Sequence, residues 1–209
     1  MKVSKKEIIT FSLVFVFSLI IFYQFLEMHY ATDTYVLIEN GYYKYAINES
    51  LLDGRVFMAI IGLIAGVLNI PNVAYIISTL VIGLFISSIS VIVLKNIILK
   101  YKPAKNKYYE WLVLLISYIT IFNFMYLENM YFADCITMSL SVLLYILAAK
   151  KLADGSKYSI LKSLILFILA VFSYQGTIGI FLAMVVLFFI IKNAGVDYIS
   201  TRKAEISAD

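Results

Sequence analysis

The sequence predicts an all-α protein that crosses a membrane several times. Of its 209 residues, 63% are hydrophobic and only 14% are charged, whereas soluble domains carry about 25% charged residues. The mean hydropathy is +0.93. Prolines occur only at Pro71 and Pro103, which leaves the long apolar runs free to form helices. This composition excludes a disordered chain and an ordinary soluble enzyme.

The apolar runs predict six membrane-spanning helices, since a bilayer core about 30 Å thick requires about 20 apolar residues. The run between Lys162 and Lys192 would form a helix about 44 Å long at about 1.5 Å per residue, which is too long for one span. Its polar break at residues 173–176 predicts two short helices joined by a tight turn, with a single, strongly tilted helix as the alternative. The other four spans are residues 8–25, 73–94, 111–126 and 135–149.

Positive charges orient the predicted spans, because lysines and arginines near span ends stay on the cytoplasmic side. All of them except Lys44 and Arg55 fall in four clusters. If residues 56–70 crossed the membrane, the cluster at residues 95–107 would lie outside, so we expect residues 56–70 to lie flat or re-entrant on the outer face. Both termini and all four clusters are then cytoplasmic. There the clusters contact lipid headgroups and require no nucleic-acid partner.

The domain organisation follows from this topology. We expect one transmembrane domain, residues 1–192, and a polar cytoplasmic tail, residues 193–209. An outer loop, residues 27–72, interrupts the transmembrane domain. One cysteine, Cys135, allows no intramolecular disulfide, and one histidine, His29, leaves no Cys/His cluster for a metal.

Turn residues in the outer loop predict two short helices. Thr32 or Asp33 can cap the first, Gly41 can end it, and the second can continue to about Ser50. The two helices would lie as jaws over the mouth of the bundle. Aromatic residues are typical of the membrane-water boundary, so we expect the loop to rest on headgroups through the tyrosines at positions 30, 35, 42, 43 and 45.

The outer loop also carries the first candidate site residues. Asp33 lies just beyond the first span, where a carboxylate is costly unless paired or wetted. It is either a helix cap or a general base that takes a proton from an attacking hydroxyl. Asp53-Gly54-Arg55 joins an acid to an arginine whose planar fork suits phosphate, although an ordinary turn also accounts for it. Glu39 is a further acid of this loop.

A second group of candidates comes from two later connections. Asp134 opens an apolar helix, where capping of the helix dipole is the alternative to a catalytic role. Glu128 faces the same compartment, and the opposite side shows no comparable acid group. Tyr174 and Gln175 lie near the outer ends of two helices. A buried Gln must find hydrogen-bond partners, so contact between helices is the alternative to substrate binding.

The sequence resembles the bacterial type II Gtr glucosyltransferases in the order of its outer-face motifs, which are Asp33, Gly41-Tyr42, Asp53-Gly54-Arg55, Glu128-Asn129, Asp134 and Ser173-Tyr174-Gln175. The likeness covers residues 8–191 and implies a GT-C-like architecture. One departure is Thr34, which follows Asp33 where the family commonly has paired acids. Family members are also commonly longer, so we expect this chain to correspond to an N-terminal half.

The resemblance implies transfer of a hexosyl group, in particular glucosyl, from a polyprenyl-phosphate carrier to a cell-surface polysaccharide. The reaction would take place on the outer face of a bacterial plasma membrane. Asp33 would be the general base and Arg55 would hold the donor phosphate. The remaining candidates would assist catalysis (Asp134 and Glu128) or bind the donor (Asp53, Glu39, Tyr174 and Gln175).

Other functions stay open at this point. A divalent cation can bridge phosphate and carboxylates, but no residue spacing specifies one. A non-catalytic membrane subunit, or a flippase-like scaffold for surface polysaccharide assembly, would need the same spans and basic rims without the outer acids. An ion-coupled transporter would need charges at mid-helix depth, and the predicted spans carry none at their centres.

Overall fold

The computed structural model describes residues 4–26, 32–104, 106–123, 126 and 129–206, and it describes the side chains of all of these except residues 32, 33 and 194–206. This part of the chain is helical, which confirms the all-α prediction. It contains eight α-helices, two 3₁₀ helices (Tyr23–Leu26 and Gln175–Thr177) and one π-helical segment (Ala46–Leu51). The α-helices are α1 (Lys5–Ile21), α2 (Thr32–Tyr45), α3 (Val56–Val67), α4 (Asn72–Tyr101), α5 (Lys107–Ile121), α6 (Cys135–Asp154), α7 (Lys157–Ser173) and α8 (Ile178–Ile206).

Three helical segments in the described part of the chain are long and apolar enough to cross a membrane. They are α4, α6 and the segment Gln175–Asn193, which includes the first half of α8. The helices α1, α5 and α7 contain 17, 15 and 17 residues. At about 1.5 Å per residue they measure about 22–26 Å, less than a core of about 30 Å. The membrane class therefore has support from three helices, and six spans stay a prediction.

The polar break in the last apolar run lies where the sequence predicts it. Helix α7 ends at Ser173, the 3₁₀ turn Gln175–Thr177 follows, and α8 begins at Ile178. Tyr174 has an extended backbone and separates the two helices. The prediction of two helices joined by a turn is confirmed and the alternative of one tilted helix is wrong, but α8, with 29 residues, is not the short helix that was predicted.

Helix α2 follows the predicted pair of short helices. It is continuous except at Gly41, whose φ of 77° and ψ of 168° interrupt the helical path. Positive φ is a conformation that glycine adopts without the steric cost of a Cβ. A π-helical segment, Ala46–Leu51, extends the second half of α2 toward α3. The break at Gly41 and the end near Ser50 therefore agree with the two short helices predicted from the sequence. Their arrangement as jaws stays a prediction.

Six of the helices run between two ends of the bundle. At the first, which we call the basic end, Lys6 and Lys95 both contact Glu110, and Tyr101 donates a hydrogen bond to Asp154. These contacts join the start of α1, the end of α4, the start of α5 and the end of α6. Lys192 of α8 donates to the backbone carbonyl of residue 153 at the same end. One described member of each predicted basic cluster, Lys6, Lys95, Lys150 and Lys192, thus lies at this end.

The opposite end, which we call the Arg55 end, is built by α2, α3 and the connections before α6 and α8. Helix α3 begins here, and the chain is still here after it, because Tyr42 of α2 donates a hydrogen bond to the carbonyl of Ile70. Tyr75, in the first turn of α4, contacts Met58 of α3. This position supports the prediction that residues 56–70 stay on one face.

The interior contains two apolar clusters, one toward each end. The cluster at the Arg55 end includes Phe22, Leu37 and Met58, and the cluster at the basic end includes Val91 and Ile146. Helix α6 lies between α4, α7 and α8. Its contact with α4 is close at Gly83, where an added Cβ would lie 2.6 Å from the sulfur of Cys135.

Candidate functional site

The turn at Asp53-Gly54-Arg55 sets the position of Arg55. Gly54 has a φ of +75°, and a Cβ there would lie 2.8 Å from Nε2 of Gln175. The N–H of Arg55 donates to the carbonyl of Ser50 at 2.8 Å and closes the turn. Helix α3 then begins at Val56. Glycine thus supplies both the left-handed backbone and the space that bring Arg55 to the start of α3.

Asp134 anchors Arg55 inside the protein. The Asp134 side chain is fully buried, and its Oδ2 atom lies 2.8 Å from Nη1 of Arg55. Its Oδ1 atom accepts a hydrogen bond of 2.8 Å from the hydroxyl of Tyr45. Asp134 occupies the N-cap position of α6, but its side chain forms no cap hydrogen bond there, so its position is compatible with the helix dipole while its described hydrogen bonds go to Arg55 and Tyr45. Because a fully buried carboxylate does not reach a substrate, the geometry favours a positioning role for Asp134.

Asp53 and Tyr174 cover the other sides of the guanidinium. Oδ2 of Asp53 lies 3.2 Å from Nη2 of Arg55, and the Asp53 side chain is 54% exposed. The guanidinium carbon lies 5.3 Å from the centre of the Tyr174 ring, within the range of a cation–π contact. Gln175 donates from Nε2 to the backbone carbonyl of Asp53 at 3.0 Å. The turn between α7 and α8 is thereby tied to the turn before α3.

Arg55 keeps its charge in this setting. Burial is the largest single influence and lowers the pKa of Arg55, but Asp134, Asp53 and Tyr45 together raise it by more, so its pKa lies above the ordinary value. Two carboxylates share this one cation. The pair with Asp134 is buried, whereas an exposed pair such as that with Asp53 contributes only about 0–1 kcal/mol. An anion from solution can therefore displace Asp53 from Arg55 at small cost.

Thr34 fixes the backbone that leads to Asp134. Its buried hydroxyl donates to the carbonyl of Tyr131 at 3.2 Å and accepts from the N–H of Ala133 at 3.1 Å. These two bonds attach the start of α2 to the segment before α6. Thr34 is the position at which the resembled family commonly has a second acid, and here its side chain has a structural partner on each side.

The structure brings five of the predicted site residues together and separates one. The five are Asp53, Arg55, Asp134, Tyr174 and Gln175. Glu39 is exposed on α2, and no contact joins it to this group in the described part of the chain. The side chain of Asp33 and all of Glu128 lie outside the described residues. Within the described ranges, no three His, Cys, Asp or Glu side chains are grouped to hold a metal ion.

Sequence reasoning missed Tyr45 and treated all loop tyrosines as interfacial. Tyr45 is buried, whereas Tyr43 is 72% exposed. Helical spacing does not reveal this burial, because Leu37 and Tyr45 are eight residues apart and Gly41 interrupts the helix between them. Tyr42 is also half-buried, and burial raises the pKa of its hydroxyl.

The basic end was expected to lack a comparable group of acids, but two acids there form hydrogen bonds and ion pairs with residues of other helices. Glu110 accepts from Lys6 at 2.6 Å and from Lys95 at 2.8 Å. Glu7 accepts from the side chain of Asn96 at 3.0 Å. Each acid is separated from these partners by a full connection or helix, so no local pattern predicts the grouping. These contacts hold α1, α4 and α5 together.

No protein-family model, curated protein or solved structure matches the chain.

Proposed function

We propose that the chain is a membrane glycosyltransferase of a bacterial plasma membrane. It transfers a hexosyl group, glucosyl by the resemblance, from a polyprenyl-phosphate carrier to a cell-surface polysaccharide on the outer face. The observation that carries the proposal is the guanidinium of Arg55, which is held from inside by buried Asp134 and covered on its outer side by the exposed carboxylate of Asp53. A planar cation with one replaceable partner is suited to a lipid phosphate.

The proposed topology places the Arg55 end outside and the basic end inside. Support comes from Lys6, Lys95 and Lys192, members of three basic clusters that lie at one end of the bundle, since such charges remain on the cytoplasmic side. The six helices α1 and α4 to α8 then span the membrane, and α2 and α3 form a GT-C-like outer layer. Both termini are cytoplasmic.

The proposed reaction is a single displacement at the anomeric carbon. The acceptor oxygen attacks that carbon and gives its proton to a carboxylate, assigned to Asp33. The bond from the carbon to the phosphate oxygen breaks, and the electron pair leaves with the polyprenyl phosphate. Arg55 stabilises the second negative charge that develops on this phosphate. Asp134 and Tyr45 act through Arg55, because they hold the guanidinium in place.

The experiment is incorporation of labelled glucose from polyprenyl-phosphate-glucose into surface polymer. Asp33→Asn removes the assigned base and should lower transfer about 10²- to 10⁴-fold. Arg55→Lys should also lower transfer, because an ammonium does not reproduce the planar contact with phosphate. Lys44→Gln is the matched control, since Lys44 lies at the same end, is exposed and donates its one described hydrogen bond to Asn40. It should transfer at the wild-type rate.

A second candidate is a non-catalytic subunit or flippase-like scaffold for surface polysaccharide assembly. The arrangement around Asp134 favours it, because this side chain is fully buried and bound to Arg55 and Tyr45. Such contacts can serve only to stabilise the fold. A scaffold predicts that Asp33→Asn and Arg55→Lys support normal surface polymer whenever they insert in the membrane in normal amounts. That result would refute the transferase.

A further inference from the structure

A cleft with about 260 Å³ of free space opens beside Tyr174 at the Arg55 end. It lies between the connection from α5 to α6 and the turn from α7 to α8. Among the described residues, none of the side chains that line it is charged. Its volume is slightly below the range of about 300–1,000 Å³ that is typical of sites for drug-sized ligands. The cleft therefore suits one small, neutral group, and its polar lining comes from Asn123, Tyr126, Asn129, Tyr174 and Thr177.

Asn129 has hydrogen-bonding capacity that the described protein groups do not use. It is 9% exposed, and its carboxamide forms no hydrogen bond within the described residues, although it offers two donors and one acceptor. Buried polar groups are normally paired, so an unpaired carboxamide facing a cleft points to a ligand. The neighbouring polar groups are already engaged. Tyr126 bonds to Ser87 and Ser139, and the hydroxyl of Thr177 bonds to Ser141.

Tyr174 links the cleft to Arg55. One face of the cleft is lined by Tyr174, and the same ring lies 5.3 Å from the guanidinium carbon of Arg55. A ligand that places a phosphate on Arg55 can therefore extend a neighbouring group past Tyr174 into the cleft. An aromatic ring and a carboxamide are complementary to the two features of a sugar ring, its apolar C–H face and its hydroxyl groups.

We propose that this cleft is the subsite for the neutral sugar ring of the donor, with Asn129 binding its hydroxyl groups and Tyr174 packing against its face. The inference rests on the proposed function, because the phosphate of the same donor lies on Arg55. The absence of charged groups from the described lining selects a neutral hexose over an acidic sugar, whose carboxylate would find no cation there.

Gly179 provides the means to test this. It lines the cleft, and a Cβ added at Gly179 would meet no atom within 4 Å. A larger side chain there therefore starts from open space beside the cleft. Gly176 is unsuitable for the same purpose, since a Cβ there would lie 2.6 Å from the ring of Tyr174. Gly179→Phe should fill the subsite, and Gly179→Ala should leave most of it open.

The experiment measures binding of two probes to the full chain in lipid nanodiscs, polyprenyl-phosphate-glucose and polyprenyl phosphate without sugar. In the wild type the sugar should add about tenfold in affinity. Gly179→Phe and Asn129→Leu should each remove this increment and bind the sugar-free probe as the wild type does, while Gly179→Ala should keep it. Arg55→Gln should weaken binding of both probes. Size-exclusion profiles identify variants that are misfolded.

The outcomes separate the subsite from the proposed function. Equal wild-type affinity for the two probes would overturn the subsite and leave lipid-phosphate binding standing. Failure of the wild type to bind either probe would overturn the proposed function and the subsite with it. If Asn129→Leu and Gly179→Phe keep the sugar increment but raise the acceptor concentration needed for transfer, the cleft holds the acceptor and the donor assignment is wrong. If Gly179→Phe does not fold, the sugar-dependent difference in affinity of Asn129→Leu tests the subsite by itself, because this variant leaves Gly179 unchanged.

Discussion

The buried pair between Asp134 and Arg55 should make a large contribution to the free energy of unfolding. Removing one partner of a fully buried ion pair costs about 3–5 kcal/mol, whereas an exposed pair contributes about 0–1 kcal/mol. Asp134 is fully buried, but the Arg55 side chain is 18% exposed and also contacts Asp53. We therefore expect Asp134→Asn to lower the free energy of unfolding by about 2–3 kcal/mol, between these limits. Asparagine keeps an oxygen that can accept from Tyr45, so the change reports mainly the lost charge.

The assay is unfolding of the purified chain by SDS in mixed micelles, followed by circular dichroism. Asp53→Asn is the matched control, because it removes a carboxylate from the same guanidinium at an exposed position and should cost about 0–1 kcal/mol. The double variant Asp134→Asn with Arg55→Gln completes a cycle. It should be more stable than the sum of the single losses by at least about 1 kcal/mol, since the uncompensated cation is removed as well.

Two results would refute this reasoning. One is a loss in Asp134→Asn no larger than that in Asp53→Asn. The other is strict additivity in the double variant, which would mean that Asp134 and Arg55 do not interact energetically.

Three further predictions concern other parts of the fold. Thr34→Ala should cost about 1–3 kcal/mol in SDS unfolding, because a buried N–H loses its acceptor, whereas Thr34→Ser should retain most of the stability. Gly83→Ala should lower the midpoint of thermal unfolding by overpacking α4 against Cys135, at a cost of about 1–3 kcal/mol; an unchanged midpoint would contradict the close approach. In intact cells, a membrane-impermeant thiol reagent should label a cysteine at Asn48 and not one at Lys107, and labelling at Lys107 would overturn the topology.

The sequence by itself determined that the chain is helical and where two of its helical runs are broken, although helix ends such as Tyr101 of α4 and Ile121 of α5 differ from the predicted spans. Apolar run length and local breaks are properties of one segment, so the break before α8 and the kink at Gly41 were readable without neighbours. Local caps act in the same way. Ser4 forms a capping box at the start of α1, and Gly155 adopts the left-handed conformation that ends α6.

The sequence also indicated which residues belong to the candidate site, but not how they act. The turn at Gly54 was predicted from a local tripeptide, and its positive φ is a local property. The role of Asp134 could not be predicted from its neighbours in the sequence. As the residue before an apolar helix it satisfied the pattern of a cap, and that pattern does not indicate that its carboxylate is also bound to Arg55 and Tyr45.

Only the tertiary structure decided the partners of these side chains. Arg55 and Asp134 are 79 residues apart, and Gln175 lies 122 residues from Asp53. Their contacts depend on the packing of α6 beside α4 and on where the turn before α8 meets the turn before α3. No single segment encodes which helix faces meet, because a lipid-exposed face and a buried face are both apolar in a membrane protein. Burial of a carboxylate, and with it the choice between catalysis and positioning, is therefore set by the assembled bundle.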